Sequence, residues 1–210
     1  MPATSPTGAS APEPDVVVIP AGDALLDDPP RTIHVNVFAI ARRPVTNEDF
    51  AAFVADASYT AAGWRTGLLD HPAEGISWAD AVAYCRWLSV ATARVYRLPD
   101  EREWEKAARG SSGRRWPWGT EDEPARANVR EAKVGGTSAI GKYPLGASPE
   151  GVVDLIGNVR EWTNTWADGR VLRGGSYLDP LGDCLPHKRF RPGDDLRGHG
   201  FRVVRSMTGR

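Results

Sequence analysis

A thiol and an imidazole lie three positions apart near the C-terminal end of the chain, at Cys184 and His187. Cys-x2-His is a recurrent half-site spacing for zinc, because thiolate sulfur and imidazole nitrogen are ligands that Zn²⁺ prefers. Asp179 and His199 are the other candidates for the same ion. The second half-site is missing, so the favoured interpretation is that these are surface or hydrogen-bonded side chains, and no transition metal is assigned.

Ser176 is a candidate nucleophile, and it follows two glycines. No nucleophile-elbow pattern surrounds it, and four histidines leave the choice of a general base unconstrained. A serine beside two glycines more often belongs to a structural turn. The sequence also offers no glycine loop that would cradle a phosphate. These residues therefore do not indicate a hydrolase or a nucleotide-dependent enzyme.

Four ordered blocks of sequence carry the most specific signal. They are RLPDEREWEKAARG at residues 97–110, DLIGNVREWT at 154–163, RGGSY at 173–177 and GFRV at 200–203. In these blocks the chain closely resembles the formylglycine-generating enzyme, or sulfatase-modifying factor, family. The resemblance implies a variant of the C-type-lectin fold, with small sheets, short helices and many loops in one α+β domain.

The resemblance also implies an active centre after the RGGSY block. In the family, one catalytic cysteine lies two residues after the tyrosine and the other lies seven residues after it, and together they hold a copper ion that activates oxygen. The matching positions here are Asp179 and Cys184. Soft thiolates match soft Cu(I), and a hard carboxylate removes most of that preference. We therefore do not expect copper to bind.

Two further positions bear on this centre. Ser176 matches the family serine near the oxygen pocket, whereas Arg160 stands where the family often has tryptophan. The copper-oxidase interpretation is thus weakened at two positions.

A structural Ca²⁺ is also implied by the resemblance. The positions that match the family ligands are Asp154, Gly157, Val159 and Glu161. Asp154 and Glu161 supply carboxylates, hard oxygen donors of the kind that Ca²⁺ takes in sets of six to eight. The alternative is that both carboxylates pair with arginines such as Arg160 or Arg173.

A second family calcium site begins at an asparagine followed by a hydrophobic residue, which Asn128 and Val129 match. Its later acidic ligand has no clear counterpart in the sequence. This second site is left open.

The first functional hypothesis is a non-catalytic family member that presents residues 178–199 as a binding surface. This stretch is dense in Arg, Lys, His and Phe, types suited to recognition. The candidate contact residues are Asp179, Asp183, His187, Lys188, Arg189, Phe190, Arg191, Arg197 and His199. The expected partner is a protein, a peptide or a glycan.

Two alternatives keep an enzymatic function. In the first, Cys184 acts as a single thiol and a metal helps to convert a substrate cysteine to formylglycine, as in sulfatase maturation. In the second, the chain is a subunit of an iron-dependent oxygenase or sulfoxide synthase, because related domains of such enzymes share this scaffold. Those enzymes take much of their metal site from an additional helical domain, so this chain would need a partner.

The composition is typical of an ordinary globular protein, with 210 residues, 41% hydrophobic and 25% charged. Residues 16–210 are predicted to form one domain. No apolar run approaches the roughly 20 residues that span a bilayer. No nucleic-acid motif accompanies the arginines after Cys184, which we interpret as partners of carbonyls and carboxylates in the same chain. Neither a membrane nor a nucleic acid is expected as a partner.

The first fifteen residues are rich in Pro, Ala, Ser and Thr and have neither the basic start nor the apolar stretch of a secretory signal. They are predicted to be a disordered tail. Two cysteines, Cys85 and Cys184, are too few for a disulfide scaffold. A cytoplasmic location fits these features.

Three helix starts are predicted where a capping residue precedes an acid by three positions: Thr46, Ser77 and Asp100. The third helix should end at Gly110, and Cys85 falls on the apolar stripe of the second. Residues 16–22 and 34–40 are predicted to be strands of one small sheet.

After Gly110 regular structure should be sparse. Four tryptophans are predicted to anchor that region by burying their large side chains. They are Trp116, Trp118, Trp162 and Trp166.

Overall fold

The three helices begin at the predicted caps. A computed structural model describes residues 13–207. Within it, α1 spans Asn47–Asp56, α2 spans Trp78–Thr92 and α3 spans Glu101–Arg109. Each cap accepts a hydrogen bond from the backbone N–H three residues later, and the acid there accepts one from the backbone N–H of the cap. This reciprocal capping box satisfies two of the backbone donors that a helix start leaves unpaired.

Four strands form the central sheet, and all their pairings are antiparallel. In spatial order they are β1 (Val16–Ile19), β4 (Phe38–Ala41), β9 (Val204–Ser206) and β5 (Tyr96–Arg97). All four residues of β4 are buried, as expected for a strand with neighbours on both edges.

A hairpin of two strands is separate from this sheet. It consists of β2 (Gly22–Leu26) and β3 (Arg31–Val35). The prediction of one strand over 34–40 is therefore wrong: β3 ends at Val35, and β4 begins at Phe38 in the other sheet. The alternating pattern does not continue through both strands. Val35 faces the core from the hairpin, whereas Phe38, Ala39 and Ile40 are all fully buried in the other sheet.

The third sheet carries the candidate site. Its order is β7 (Arg170–Arg173), β6 (Arg160–Trp166) and β8 (His199–Gly200). β6 pairs with β7 antiparallel and with β8 parallel. The parallel pairing places Arg160 opposite His199 and Glu161 opposite Gly200. Residues that are almost forty positions apart in sequence thus become neighbours.

Regular structure between α3 and β6 is sparse, as predicted. It consists of single-turn 3₁₀ helices at Pro124–Arg126, Arg130–Ala132 and Pro144–Gly146, and another lies at Leu181–Asp183. Trp116 and Trp162 are buried and anchor this half of the fold, and Trp118 stacks on Trp116 with ring centroids 5.3 Å apart. The anchoring prediction is wrong for Trp166, which is 68% exposed at the end of β6.

Cys85 lies in the largest core cluster with Phe50, Phe53 and Tyr84, as its place on the apolar stripe of α2 predicts. The tail predicted for residues 1–15 lies mostly outside the described residues. Its last part is described, and there Glu13 pairs with Arg94 at 2.7 Å. No helix within residues 13–207 is long and apolar enough to cross a membrane.

Candidate functional site

The two residues that depart from the family pattern are in direct contact. Arg160 opens β6, and Asp179 follows the RGGSY block by two residues. Arg160 Nε lies 2.8 Å from Asp179 Oδ2, and Arg160 Nη2 lies 2.5 Å from Oδ1. Their side chains are only 20% and 12% exposed. A bidentate, largely buried ion pair therefore occupies the position where the resemblance implies a thiolate.

Ser176 is tied to the same carboxylate. Its backbone N–H and its hydroxyl both donate to Asp179 Oδ2 at 2.9 Å, and its Oγ accepts from the backbone N–H of Leu178 at 3.2 Å. The hydroxyl thus closes a turn, as local hydrogen bonds of serine commonly do. Ser176 therefore has the hydrogen bonds of a turn residue.

His199 lies on the other side of Arg160. Its Nε2 is 3.4 Å from Arg160 Nη1, and its ring packs edge-on against Trp162 with centroids 5.4 Å apart. The imidazole is fully buried, and its Nδ1 has no hydrogen-bond partner within residues 13–207. Burial, assisted by the positive charge of Arg160, lowers the pKa of His199 to about 4. His199 is therefore neutral at neutral pH.

Phe190, in the 178–199 loop, packs against the guanidinium group of Arg160. The guanidinium carbon of Arg160 lies 4.8 Å from the Phe190 ring centroid, within cation–π range. Phe190 and Leu172 exchange two backbone hydrogen bonds, of 2.9 and 3.0 Å. The middle of the 178–199 loop is thereby fixed to β7.

Cys184, the retained cysteine position, is inaccessible to solvent. Its thiol donates to the Pro180 carbonyl at 3.4 Å and packs against Gly175, where an added Cβ would lie 2.2 Å from the sulfur. Burial first, and then the charge of Asp179, raise the pKa of this thiol. The thiolate is the form that attacks substrates and binds metals, so the surroundings of Cys184 disfavour both roles.

The alternative metal set does not come together. Within residues 13–207, no group of three or more His, Cys, Asp or Glu side chains is arranged to hold a metal ion. His187 Nε2 lies 3.6 Å from Asp28, while His199 and Asp179 both face Arg160. The Cys-x2-His spacing is therefore not part of an assembled zinc site in the described chain.

Glu161, a family calcium position, pairs with an arginine. Arg202 Nε and Nη2 each lie 2.6 Å from one of its carboxylate oxygens, and the Trp104 indole N–H donates to it at 2.7 Å. All three side chains are 2% exposed or less. The arginine alternative thus accounts for the charge of Glu161, with Arg202 in place of Arg160 or Arg173.

Asp154, the other carboxylate of that set, has a different environment. Its Oδ2 accepts from the backbone N–H of Gly141 at 2.7 Å, and burial raises its pKa. Gly157 and Val159 follow it in the loop before β6. Since Arg202 already neutralises Glu161, these residues as arranged fit Ca²⁺ poorly, and this site stays a prediction.

The second family position contains unpaired oxygens. Asn128 Oδ1 and Ser138 Oγ are buried and have no hydrogen-bond partner within residues 13–207. Asn158 links these two residues, because its Oδ1 accepts from Asn128 Nδ2 at 3.2 Å and from the Ser138 backbone N–H at 2.9 Å. Val129 is buried beside them. Unpaired buried oxygens suit a hard cation, so this set fits better than the first.

Helix α3 holds the loop through two acids that the sequence interpretation did not include. Glu101 accepts from Arg173 at 2.7 Å and from Arg189 at 2.6 and 2.8 Å. Glu105 accepts from Arg109 at 2.6 Å and lies 3.3 Å from Arg173. The i, i+4 spacing of the two acids places both on one face of α3, which was the available signal.

Arg173 also fixes the loop backbone. Its side chain is fully buried, and its Nη1 donates to the Pro186 carbonyl at 2.8 Å. The base of the loop is thus held by charge-assisted bonds at Pro186 and Arg189, both of which precede the Phe190 contact in the chain.

The exposure of the predicted surface residues is mixed. Asp179 and His199 are 8% and 0% exposed, so their assignment to a binding surface is wrong; the ion pair with Arg160 holds Asp179 inward, and the pairing of β8 with β6 holds His199. Asp183, Arg189, Arg191 and Arg197 are exposed, and His187, Lys188 and Phe190 are half-buried.

The cationic side chains of this surface bond to nearby groups of the same chain. Lys188 pairs with Asp183 at 2.9 Å, Arg197 pairs with Asp195 at 2.7 Å, and Arg191 donates to the Gly169 carbonyl. These contacts are of the kind expected for arginines that serve carbonyls and carboxylates of their own chain.

The chain is similar to several known proteins. The chain is 32% identical over 249 residues to the inactive C-alpha-formylglycine-generating enzyme 2 of Mus musculus, covering 85% of this chain and 79% of that protein. It is 29% identical over 273 residues to the formylglycine-generating enzyme of Streptomyces coelicolor, covering 84% and 85%. The chain is thus similar both to a relative named as inactive and to one named as a formylglycine-generating enzyme.

The solved structure of PvdO from Pseudomonas aeruginosa superposes with a TM-score of 0.78 and 26% identity, covering 92% of this chain and 95% of that one. The model of the sulfatase-modifying factor enzyme 1-like domain matches residues 2–207. These matches, together with the fold and the four sequence blocks, show that the chain belongs to the formylglycine-generating enzyme, or sulfatase-modifying factor, family.

Proposed function

We propose that this chain is a non-catalytic member of its family and acts as a binding module through the exposed part of the 178–199 loop. The observation that carries the proposal is the ion pair between Arg160 and Asp179. It fills the place of one catalytic thiolate with a carboxylate that is already neutralised. The similarity to inactive relatives supports the same conclusion.

The organisation of the loop also supports a binding role. Its base is held by Arg173, Arg189 and Phe190, whereas residues 191–195 and Arg197 are exposed. A rigid base that presents an exposed tip lowers the entropy cost of binding. A peptide or a protein with mixed charges suits this tip, because Arg191 and Arg197 stand beside Asp194 and Asp195.

The direct test is anaerobic titration with Cu(I) against a competing chelator. We expect the unmodified chain to leave the ion with the chelator. The double variant Arg160→Trp with Asp179→Cys restores the family pattern and should take up one Cu(I). Adding Cys184→Ser to the double variant should abolish that uptake. Tight Cu(I) binding by the unmodified chain would refute the proposal.

The oxidase alternative is tested with the same protein. Oxygen consumption and aldehyde formation are measured with a cysteine-containing sulfatase peptide and added copper. We expect neither to exceed the rate of the Cys184→Ser variant. Turnover that depends on Cys184 would favour the oxidase instead.

A structural cation is a separate proposal, supported at Asn128 by its unpaired Oδ1 and the neighbouring Ser138 Oγ. Millimolar Ca²⁺ should raise the melting temperature relative to EGTA, because a ligand bound only by the native state stabilises it. Asn128→Leu should remove the increase, and Asp154→Asn should preserve it. Equal melting temperatures in Ca²⁺ and EGTA would count against both calcium positions.

A further inference from the structure

A cavity of about 400 Å³ lies between the N-terminal stretch of the described chain, α1 and α2. None of the residues that form the Asp179 cluster or the 178–199 loop lines it. Its volume falls within the range of small-molecule sites, which is roughly 300–1,000 Å³. The cavity is therefore independent of the function proposed above.

The inner walls of the cavity are apolar and aromatic. Ala41, Val45, Tyr84 and Val203 are each 4% exposed or less, and Trp87 lines the cavity beside Tyr84. The Tyr84 and Trp87 ring centroids are 5.4 Å apart, with the rings tilted by 54°. Such walls favour a flat apolar body, and aromatic rings also attract cations.

Acidic residues predominate among the charged groups of the lining. They are Glu13, Asp15, Glu48 and Asp49, and Arg43 is the one basic lining residue within residues 13–207. Arg43 is occupied by Asp49, with contacts of 2.5 and 3.2 Å.

Two more of these acids are paired with arginines that do not line the cavity. Asp15 accepts from Arg42 at 2.7 Å, and Glu13 accepts from Arg94 at 2.7 Å. Glu48 differs, because it is exposed and takes part in no ion pair within residues 13–207. Glu48 is thus the one acid among the described lining residues that has no ion pair of its own.

We propose that this cavity binds a small organic cation with a flat apolar body, of the aryl amidinium or aryl ammonium class. The aromatic and aliphatic walls contact the body, and Glu48 pairs with the charge. An anion of the same shape is disfavoured, since Glu48 and Asp49 would face it and Arg43 is already engaged.

The test uses three probes of one shape and different charge: benzamidinium, benzamide and benzoate. Binding to the full chain is measured by calorimetry or by protein-observed NMR titration. Benzamidinium should bind, benzamide should bind at least about two- to five-fold more weakly, and benzoate should not bind. Glu48→Gln should weaken benzamidinium binding by the same two- to five-fold and leave benzamide unchanged.

Shape is tested by filling the cavity from an exposed helix position. Ala52 lines the cavity and is exposed on α1, so Ala52→Phe should fold and reduce benzamidinium binding by on the order of tenfold or more. Ala55→Phe is the matched control, because Ala55 is exposed on the same helix and does not line the cavity. Its affinity should equal that of the unmodified chain.

The proposal is overturned if benzamidinium does not bind, or if benzamide or benzoate binds as tightly. It is also overturned if Ala52→Phe binds benzamidinium as well as Ala55→Phe does.

Discussion

The ion pair between Arg160 and Asp179 should make a measurable contribution to stability. The perturbation is a double-mutant cycle with Asp179→Asn and Arg160→Met, in which the methionine keeps an apolar stem beside Phe190. Removing one partner leaves the other charge largely buried, which typically costs about 3–5 kcal/mol. Because the two side chains retain 20% and 12% exposure, we expect a smaller cost, about 2–3 kcal/mol for each single variant.

The double variant should be much more stable than the sum of the two losses predicts. We expect a coupling energy of about 2 kcal/mol, because the second substitution removes the charge that the first left unpaired. Urea unfolding followed by tryptophan fluorescence measures each free energy of unfolding, and the chain has eight tryptophans to report it.

The exposed pair Arg197 and Asp195 is the matched control, with side chains 72% and 57% exposed. Its cycle should show no measurable coupling, since water screens such pairs. If the Arg160 cycle also showed no coupling energy, with the same urea m-value in every variant, the ion pair would not stabilise the fold around Asp179 and the structural argument would fail.

Further predictions concern the residues around this pair. His199 has a pKa of about 4 in the folded chain, lowered by burial and by Arg160, so between pH 6.5 and 4 the unfolded chain binds a proton that the folded chain does not. The free energy of unfolding should therefore fall as the pH falls through this window, by about 1–2 kcal/mol more in the unmodified chain than in His199→Gln. Urea unfolding at each pH measures this difference. Parallel pH profiles of the two proteins would contradict the prediction. Burial raises the pKa of Cys184 and raises the pKa of Cys85 to about 12. Neither thiol should therefore react with Ellman's reagent at pH 8 until urea unfolds the chain. Labelling of the native protein would show that at least one thiol is accessible. Gly175→Ala should destabilise the fold by about 2–4 kcal/mol, because φ is 71° there and the new Cβ would lie 2.2 Å from the Cys184 sulfur. Adding Cys184→Ala to this variant should recover part of the lost stability, measured by thermal melting. Equal stability of the unmodified chain and both variants would refute the contact. Arg173→Met should increase the rate of limited proteolysis within residues 178–199 more than Arg191→Met does, because Arg173 bonds Glu101 and the Pro186 carbonyl. Equal cleavage rates in the two variants would argue against the anchoring role of Arg173.

Local signals predicted the helices well. Thr46, Ser77 and Asp100 each carry their capping acid three residues later, and a capping box depends only on neighbours in sequence. The strand at 34–40 failed for the opposite reason. Whether the chain continues straight or changes sheet after Val35 is decided by partners far away in sequence, such as β9.

The candidate site shows the same division. The blocks of sequence identified Arg160 and Asp179 as separate departures from the family pattern. Their contact depends on the turn at Ser176 and on the hydrogen bond from the Tyr177 N–H to the Asn158 carbonyl at 3.2 Å, which bring the two segments together. The identity of the Glu161 partner was missed likewise, because Arg202 is 41 residues away in sequence and nothing local distinguishes it from the other arginines.

The attachment of the 178–199 loop to α3 has an evolutionary consequence. Glu101 and Arg173 hold the first half of the loop, and His199 begins the next strand, so the exposed residues 191–195 can be replaced without disturbing either attachment. New recognition sequences grafted there would inherit a preformed frame.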